Sequence, residues 1–206
     1  MPNPAPSLQD RILKRFRREG PGVVLSPRDL LDLGSGPAVR QALSRAVEAG
    51  LIRKVARGLY QVPRRDPELG TLAPTLDAIV EALQKRDGIR LLPSGAHAAN
   101  ILGLSTQVPV RVVFLTDGPT RRIRLGKREI VLRRTTPRQM ATAGKISGTV
   151  IQALRWMGAD HVGDAEIAQL RERLSKADKK VLLADQRQAP AWVASLLRRI
   201  ALGDGK

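Results

Sequence analysis

Residues 35–62, SGPAVRQALSRAVEAGLIRKVARGLYQV, are typical of one helix followed by a tight two-stranded hairpin. Apolar or small residues recur at three- and four-residue spacing in the first half, which predicts a helix with one buried stripe. The stripe consists of Val39, Ala42, Leu43, Ala46 and Gly50. Ser35 and Pro37 suit the start of this helix, and Gly50 stands where a helix usually ends.

The opposite face of the predicted helix is polar, and we interpret it as a surface that reads DNA. Its side chains can hydrogen-bond to base edges when the helix lies in a major groove. The predicted base contacts are Arg40, Gln41, Ser44 and Arg45. The alternative is a solvated helix and hairpin whose charges only keep the protein in solution.

The predicted hairpin consists of two β-prone runs, 51–55 and 59–62, and Gly58 between them can supply the positive φ of its turn. A helix-turn-helix followed by a basic hairpin resembles the winged helix-turn-helix of bacterial transcription regulators. This interpretation adds contacts to the DNA backbone or the minor groove. The residues predicted for them are Ser35 and the wing residues Arg53, Lys54 and Arg57.

The residues before 35 complete this predicted domain, which spans 7–63. The proline-rich segment 1–6 is predicted to be disordered, and a first helix starts near Ser7 and ends before Gly20. A short extended segment at 23–25 and a second helix at 28–33 follow. The order of helix, short strand, helix, turn, helix and hairpin therefore accounts for the whole domain.

The net charge of +17, from 36 Lys and Arg against 19 Asp and Glu, indicates a polyanionic partner. The chain has two Trp, one Tyr and two Phe. This scarcity argues against single-stranded nucleic acid, because such sites usually stack bases on aromatic side chains. Duplex DNA is therefore the favoured partner. Without cysteine the chain has no disulfide and no zinc–thiolate site.

Membrane association is not expected from the sequence. No apolar run approaches the ~20 residues of a membrane-spanning helix. The opening residues lack the basic and apolar regions of a signal peptide. We therefore expect a cytoplasmic protein with no membrane partner.

Residues 64–74 combine proline, glycine and charge without a period, which is typical of a linker, and a second domain is predicted over 75–206. We expect an α+β domain with three successive antiparallel strands within 110–134. It also contains a strand at 89–92, and its predicted helices lie at 75–86, 95–102, 147–157, 164–174, 175–185 and 191–201. The small antiparallel sheet and the helical C-terminal third follow the winged helix and complete an α+β chain.

The hairpin at 121–134 is the most basic part of the second domain. Between residues 111 and 138, nine Lys and Arg stand against two acids. The two-residue period of a strand leaves Arg122, Arg124 and Arg133 on the polar side of the hairpin. Our hypothesis is that these arginines contact nucleic acid beyond the winged helix. RNA, an acidic protein or only solvent are the alternatives.

No constellation of catalytic residues stands out, and we predict that the protein is not an enzyme. Ser94 and His97 have the residue types of a nucleophile and its base, but Ser94 is better explained as a helix cap. A nuclease with Asp117 or Asp160 as metal ligand is the enzymatic alternative. No metal and no cofactor are expected, because the two histidines are isolated and no Walker-type or dinucleotide glycine loop is present. Both tryptophans are interpreted as packing residues.

The run at 93–105, PSGAHAANILGLS, is similar to a run in AbiEi-type antitoxins. Val108-Pro109, the run LTDG at 115–118 and the arginine hairpin extend this similarity. The family consists of winged-helix transcriptional regulators of abortive-infection toxin–antitoxin operons, which serve in phage defence. The resemblance covers most of the chain, from the winged helix to the helix that contains QALR at 152–155.

The resemblance implies a two-part protein. The N-terminal domain would bind inverted repeats in the promoter of its own operon and repress it. The C-terminal domain would oppose a nucleotidyltransferase toxin without a stable complex. We therefore expect a sequence-specific double-stranded DNA-binding transcriptional repressor that acts as an antitoxin. The alternative is an RNA-binding module that opposes or guides a nucleotidyltransferase.

Overall fold

The computed structural model describes residues 6–68, 70–107, 109–126 and 128–203. Its contacts divide the chain into two compact units, Met1–Gly88 and Ile89–Lys206. Except for Pro6, the segment predicted to be disordered lies outside the described residues. The described parts combine helices with small sheets, which confirms the α+β class.

The first unit begins with helix α1 (Leu8–Glu19), whose start is fixed by reciprocal hydrogen bonds between Ser7 and Asp10. The elements after it are β1 (Val24–Leu25), a 3₁₀ helix (Pro27–Leu30), α2 (Gly36–Glu48), β2 (Arg53–Ala56) and β3 (Leu59–Gln61). Strand β3 lies between β1 and β2 in an antiparallel sheet. The helix predicted at 28–33 is shorter than expected, because the chain turns at 31–34 before α2 starts.

One apolar core lies between α1, the 3₁₀ helix and α2. Ile12, Leu30, Val39 and Leu43 are fully buried in it, and Phe16 is nearly so. Burying one such side chain contributes about 1.5–3 kcal/mol. The core therefore fixes which face of α2 remains exposed.

The predicted linker at 64–74 contains secondary structure of its own. Strands β4 (Arg64–Asp66) and β5 (Gly70–Leu72) form an antiparallel hairpin there. Helix α3 (Leu76–Asp87), which we expected to open the second domain, belongs to the first unit. The division between the units therefore falls after Gly88 rather than at 75.

Polar contacts join α3 to the rest of the first unit. The Lys85 ammonium lies 3.0 Å from the carboxylate of Asp29 in the 3₁₀ helix. The Arg28 guanidinium donates to the carbonyl oxygen of Arg86 at 3.0 Å. These contacts join residues more than fifty positions apart, and local sequence patterns do not reveal them.

The second unit is built on a four-stranded sheet. Its strands are β6 (Leu91–Ser94), β7 (Arg111–Thr116), β8 (Arg121–Leu125) and β9 (Arg128–Arg134). Their order in the sheet is β6-β7-β9-β8. Strand β7 is antiparallel to β6 and parallel to β9, and β8 is antiparallel to β9. The sheet is therefore mixed.

The prediction of three successive antiparallel strands is wrong, because β9 lies between β7 and β8 and runs parallel to β7. In β9, Ile130 and Leu132 are almost fully buried, whereas β8 alternates arginine with aliphatic residues. The more apolar strand therefore occupies the centre of the sheet and the arginine-rich strand its edge. The hairpin between β8 and β9 was predicted correctly, although its turn residue Lys127 lies outside the described residues.

Helices cover part of the sheet and form a second core. They are α4 (Ala96–Ile101), α5 (Pro137–Met140), α6 (Ile146–Met157), α7 (Asp164–Arg173), α8 (Lys176–Asp185) and α9 (Ala191–Leu202), with 3₁₀ turns at Ala159–His161 and Gln186–Gln188. Val150, Leu170, Leu182 and Leu197 are fully buried among them. The four predicted C-terminal helices are confirmed to within one residue at each end. Within the described ranges, every helix is too short or too polar to cross a bilayer.

Candidate nucleic-acid interface

Helix α2 presents the polar row that the sequence predicted. Val39, Ala42, Leu43 and Ala46 are fully buried, as their spacing requires. The residues between them, Arg40, Gln41, Ser44 and Arg45, are all exposed. Ser35 precedes the helix and is exposed too, and its side chain makes no capping hydrogen bond.

Most of this row is available to a ligand. Among the described residues, none hydrogen-bonds or pairs with the side chains of Arg40, Gln41 or Arg45. The Ser44 hydroxyl donates to the Glu48 carboxylate at 3.1 Å, so the ligand must compete for it. Two free guanidinium groups and one free amide on one helix face can donate to base edges or phosphates.

The β2–β3 hairpin lies directly after α2 in the chain. Gly58 adopts a φ of +68° at its turn, as predicted. Lys54 and Arg57 are exposed, and Lys54 pairs with Tyr60 across the hairpin. These two cations can hold phosphate groups without reading sequence.

Arg53, predicted as a third wing contact, is occupied inside the protein. Its guanidinium donates to the Gln61 side-chain oxygen at 2.7 Å and to the carbonyl oxygen of Leu72. Gln61 is 1% exposed and in turn donates to the carbonyl oxygen of Gly22 at 2.9 Å. Arg53 therefore ties the hairpin to β5, and Gln61 ties it to the turn before β1. No local sequence pattern predicts this network.

Helix α3 supports the turn of the hairpin. The Arg86 guanidinium donates to the carbonyl oxygen of Arg57 at 2.6 Å. Its other nitrogens are held by the Asp87 carboxylate at 2.8 and 2.9 Å. This role of Arg86 was not predicted, because α3 was expected to belong to the second domain.

Asp29 fixes the 3₁₀ helix that precedes α2. Burial alone would raise the pKa of this carboxyl, but hydrogen bonds from the Ser26 hydroxyl and backbone and the nearby Lys85 ammonium outweigh burial and lower the pKa below its ordinary value. Asp29 is therefore a charged residue that joins the 3₁₀ helix to α3.

The arginine face of the second unit has the predicted register. Arg122 lies opposite Val131 and Arg124 opposite Glu129, so both share a sheet face with Arg133. All three arginines are exposed. Leu115 and Arg111 of β7 belong to the same face through their pairing with β9.

The residues weighed for catalysis all lie in the second unit. Ser94 ends β6, and the cap of α4 is Gly95, so the prediction that Ser94 caps this helix is wrong. A hydrogen bond from the Arg90 guanidinium at 2.8 Å lowers the pKa of Asp117 below its ordinary value. In the part of the chain that the structure describes, no three His, Asp or Glu side chains are placed to hold a metal ion.

The tryptophans differ from each other. Trp192 packs against the core of the second unit, as predicted. Trp156 is 47% exposed, so its interpretation as a packing residue is wrong. It lies in the last turn of α6.

Comparison with known proteins adds a family and a solved structure. The crystal structure of RV2827C protein from Mycobacterium tuberculosis resembles this chain with a TM-score of 0.46 and 14% sequence identity. The alignment covers 98% of this chain and 83% of that one. No curated protein matches the sequence. Residues 11–182 match the model of a family of unknown function, DUF6088. Since this match spans most of the chain, the protein belongs to the DUF6088 family.

Proposed function

We propose that this protein is a sequence-specific double-stranded DNA-binding transcriptional repressor, and that its first unit is a winged helix-turn-helix. The observation that carries the proposal is the exposed row on α2, where Arg40, Gln41 and Arg45 have no described partner. Their buried neighbours pack against α1 and the 3₁₀ helix, which gives the row a rigid support. In this arrangement α2 is the recognition helix.

The hairpin supplies the second part of the interface. Lys54 and Arg57 hold phosphate or the minor groove, and they add affinity rather than sequence choice. Ser35, exposed before the first turn of α2, contacts the DNA backbone. Arg53 no longer belongs to the contact set, because Gln61 and Leu72 occupy its guanidinium.

The second unit gives the protein its antitoxin role in this proposal. The support is the resemblance of the run at 93–105 to AbiEi-type antitoxins. On this basis the protein represses its own operon through inverted repeats and opposes a nucleotidyltransferase toxin without a stable complex. Arg122, Arg124 and Arg133 extend the DNA footprint from the second unit.

A competition gel shift tests the DNA-binding proposal. The purified protein is titrated against its own upstream promoter fragment, with an equal length of unrelated duplex and a matching RNA as competitors. We expect the promoter complex to survive an excess of both competitors. Equal binding to all three, lost together as salt rises, would mean that the net charge of +17 alone drives binding.

The arginine face is tested separately. A triple variant in which Arg122, Arg124 and Arg133 become Glu should bind the promoter more weakly and with a smaller salt dependence. Unchanged operator binding together with lost RNA binding would instead favour the RNA-binding module. Unchanged binding to both would leave this face outside any nucleic-acid interface.

The two proposed roles are separable in one variant. Arg45→Ala changes only the first unit, so it should relieve repression of a promoter reporter while still protecting cells that express the nucleotidyltransferase toxin of the same operon. If the variant lost both repression and protection at normal protein levels, the proposal that the two units carry separate functions would be contradicted.

A further inference from the structure

A cleft of about 660 Å³ lies on one face of the second unit's sheet. Its floor is formed by Arg111, Val113 and Leu115 of β7 and by Arg133 of β9, which the strand register places on the same face. Residues 94–97, Thr135, Gln139 and the α6 side chains Gln152, Arg155 and Trp156 form its walls. The volume lies within the range of about 300–1,000 Å³ that small-ligand pockets have.

The charged side chains around this cleft are basic, and no carboxylate belongs to its described lining. Arg111 lies 2.8 Å from Glu129 and is partly neutralised. Neither Arg133 nor Arg155 has a hydrogen-bond or ion-pair partner among the described residues. Two unpaired guanidinium groups at one cavity favour an anion, for which phosphate is a well-matched ligand.

An aromatic ring stands at one end of the cleft. Trp156 is 47% exposed there, and its ring lies against Gly95 so closely that a Cβ on Gly95 would be 3.6 Å from Trp156 Cδ1. The Gly95 backbone has φ +64° and ψ −145°, a conformation open only to glycine. A half-exposed indole offers a surface on which a base can stack.

A buried amide faces the same cleft. Gln152 is 7% exposed, and the one hydrogen bond described for its side chain is long, with the Ser94 hydroxyl 3.4 Å from its oxygen. No described residue accepts a hydrogen bond from its amide nitrogen. This nitrogen can donate to a ligand in the cleft.

Trp156 and Arg133 lie toward different ends of the cleft. Leu92 meets α6 at Gly148 and Gly95 meets it at Trp156, so α6 runs along β6. Leu92 pairs with Leu115, which pairs with Arg133. Arg133 is therefore about three residues, or about 10 Å, from the Trp156 end along the strand direction. This separation matches a ligand with an aromatic ring at one end and an anion at the other.

We propose that this cleft binds a nucleotide, with its base stacked on Trp156 and its phosphate held by Arg133. A free nucleoside phosphate and the terminal nucleotide of an RNA strand share this chemistry, and the test below distinguishes them. The proposal does not rest on DNA binding by the first unit, since every residue of the cleft belongs to the second.

Fluorescence of Trp156 provides the test. Full-length protein carrying Trp192→Phe has Trp156 as its remaining tryptophan. It is titrated with AMP, CMP, adenosine, inorganic phosphate and a 5′-phosphorylated RNA oligonucleotide, and calorimetric titration of the unsubstituted protein repeats the measurement. Arg133→Gln is compared with Arg134→Gln, because Arg134 is the next residue of the same strand, is exposed and lies on the opposite sheet face.

We expect saturable quenching by AMP or CMP, and binding of adenosine and of phosphate alone that is at least about tenfold weaker. Arg133→Gln should weaken nucleotide binding about tenfold, and Arg134→Gln should leave it unchanged. Tighter binding of the phosphorylated RNA than of the mononucleotide identifies a strand end, and tighter binding of the mononucleotide identifies a free nucleotide. The proposal is overturned by no saturable binding in either assay, by phosphate binding as tightly as AMP, or by equal losses in the two arginine variants.

Discussion

The Arg86 guanidinium of α3 donates a 2.6 Å hydrogen bond to the carbonyl oxygen of Arg57, at the turn of the hairpin that we propose as a wing. The Asp87 carboxylate holds the same guanidinium through two hydrogen bonds. Helix α3 thus holds the backbone of the hairpin turn, while the Arg57 side chain remains exposed.

Arg86→Ala should therefore loosen the hairpin without removing a DNA contact. We expect affinity for promoter and unrelated duplex to fall together by about threefold to tenfold, since a hydrogen bond to a charged group is worth about 1.5–3 kcal/mol and only part of that reaches binding. Amide hydrogen exchange of β2 and β3 should become faster. Arg65→Ala, at an exposed position of β4, is the control and should change neither measurement.

Arg53 and Lys54 are neighbours with different expected roles. Arg53→Ala removes the bonds to Gln61 and Leu72, so the free energy of unfolding should fall by about 1–3 kcal/mol. Lys54→Ala should change stability by less than about 0.5 kcal/mol. It should instead reduce the slope of log Kd against log salt by about one, as expected for one lost phosphate contact. Urea denaturation measures the stability of both variants, and binding at several salt concentrations measures their salt slopes. A loss of stability in Lys54→Ala together with a reduced salt slope in Arg53→Ala would contradict the assignment.

The pKa of Asp29 makes part of the stability pH-dependent. Because the folded-state pKa lies below the ordinary value of 3.8, the charged carboxylate stabilises the fold above that value, and this contribution is lost as pH falls through the lowered pKa. Asp29→Asn should therefore lower the free energy of unfolding by about 1–3 kcal/mol at pH 7. The difference from the unsubstituted protein should shrink below about pH 4. A difference that stays constant down to pH 2 in urea denaturation would exclude the charge as its cause.

Gly148 is a point of close packing between α6 and β6. A Cβ there would clash with the carbonyl oxygen of Thr142 and lie 2.7 Å from Leu92 Cδ1. We expect Gly148→Ala to destabilise the protein by about 1–3 kcal/mol, the usual cost of overpacking. Gly163→Ala, where the nearest atom is a flexible Glu166 oxygen at 3.4 Å, should cost less than about 1 kcal/mol. Equal melting temperatures of the two variants would show that α6 can move away from the sheet.

Local periodicity was sufficient to locate α2 and its exposed row. Its buried residues, from Val39 to Ala46, follow one helical stripe, and that stripe decides which side chains face solvent. The same holds for the arginine face, because alternation along β8 and β9 fixes the side on which Arg122 and Arg124 lie.

Long-range contacts decided the features that the sequence did not reveal. Helix α3 joins the first unit through contacts such as the ion pair of Lys85 with Asp29, and the role of Arg53 depends on a carbonyl in β5. The parallel pairing of β7 with β9 depends on which strand is most apolar in the finished sheet. Each of these three features is set by residues that are far apart in the chain, which local sequence patterns do not connect.

The most direct test of DNA reading by α2 is the affinity of Arg45→Ala for the promoter fragment and for an unrelated duplex of equal length, measured at one salt concentration. We predict that the variant loses about 1–3 kcal/mol on the promoter and much less on the unrelated duplex, as expected when a bidentate contact to guanine is removed. Equal losses on both duplexes would contradict a base contact and make Arg45 a phosphate ligand.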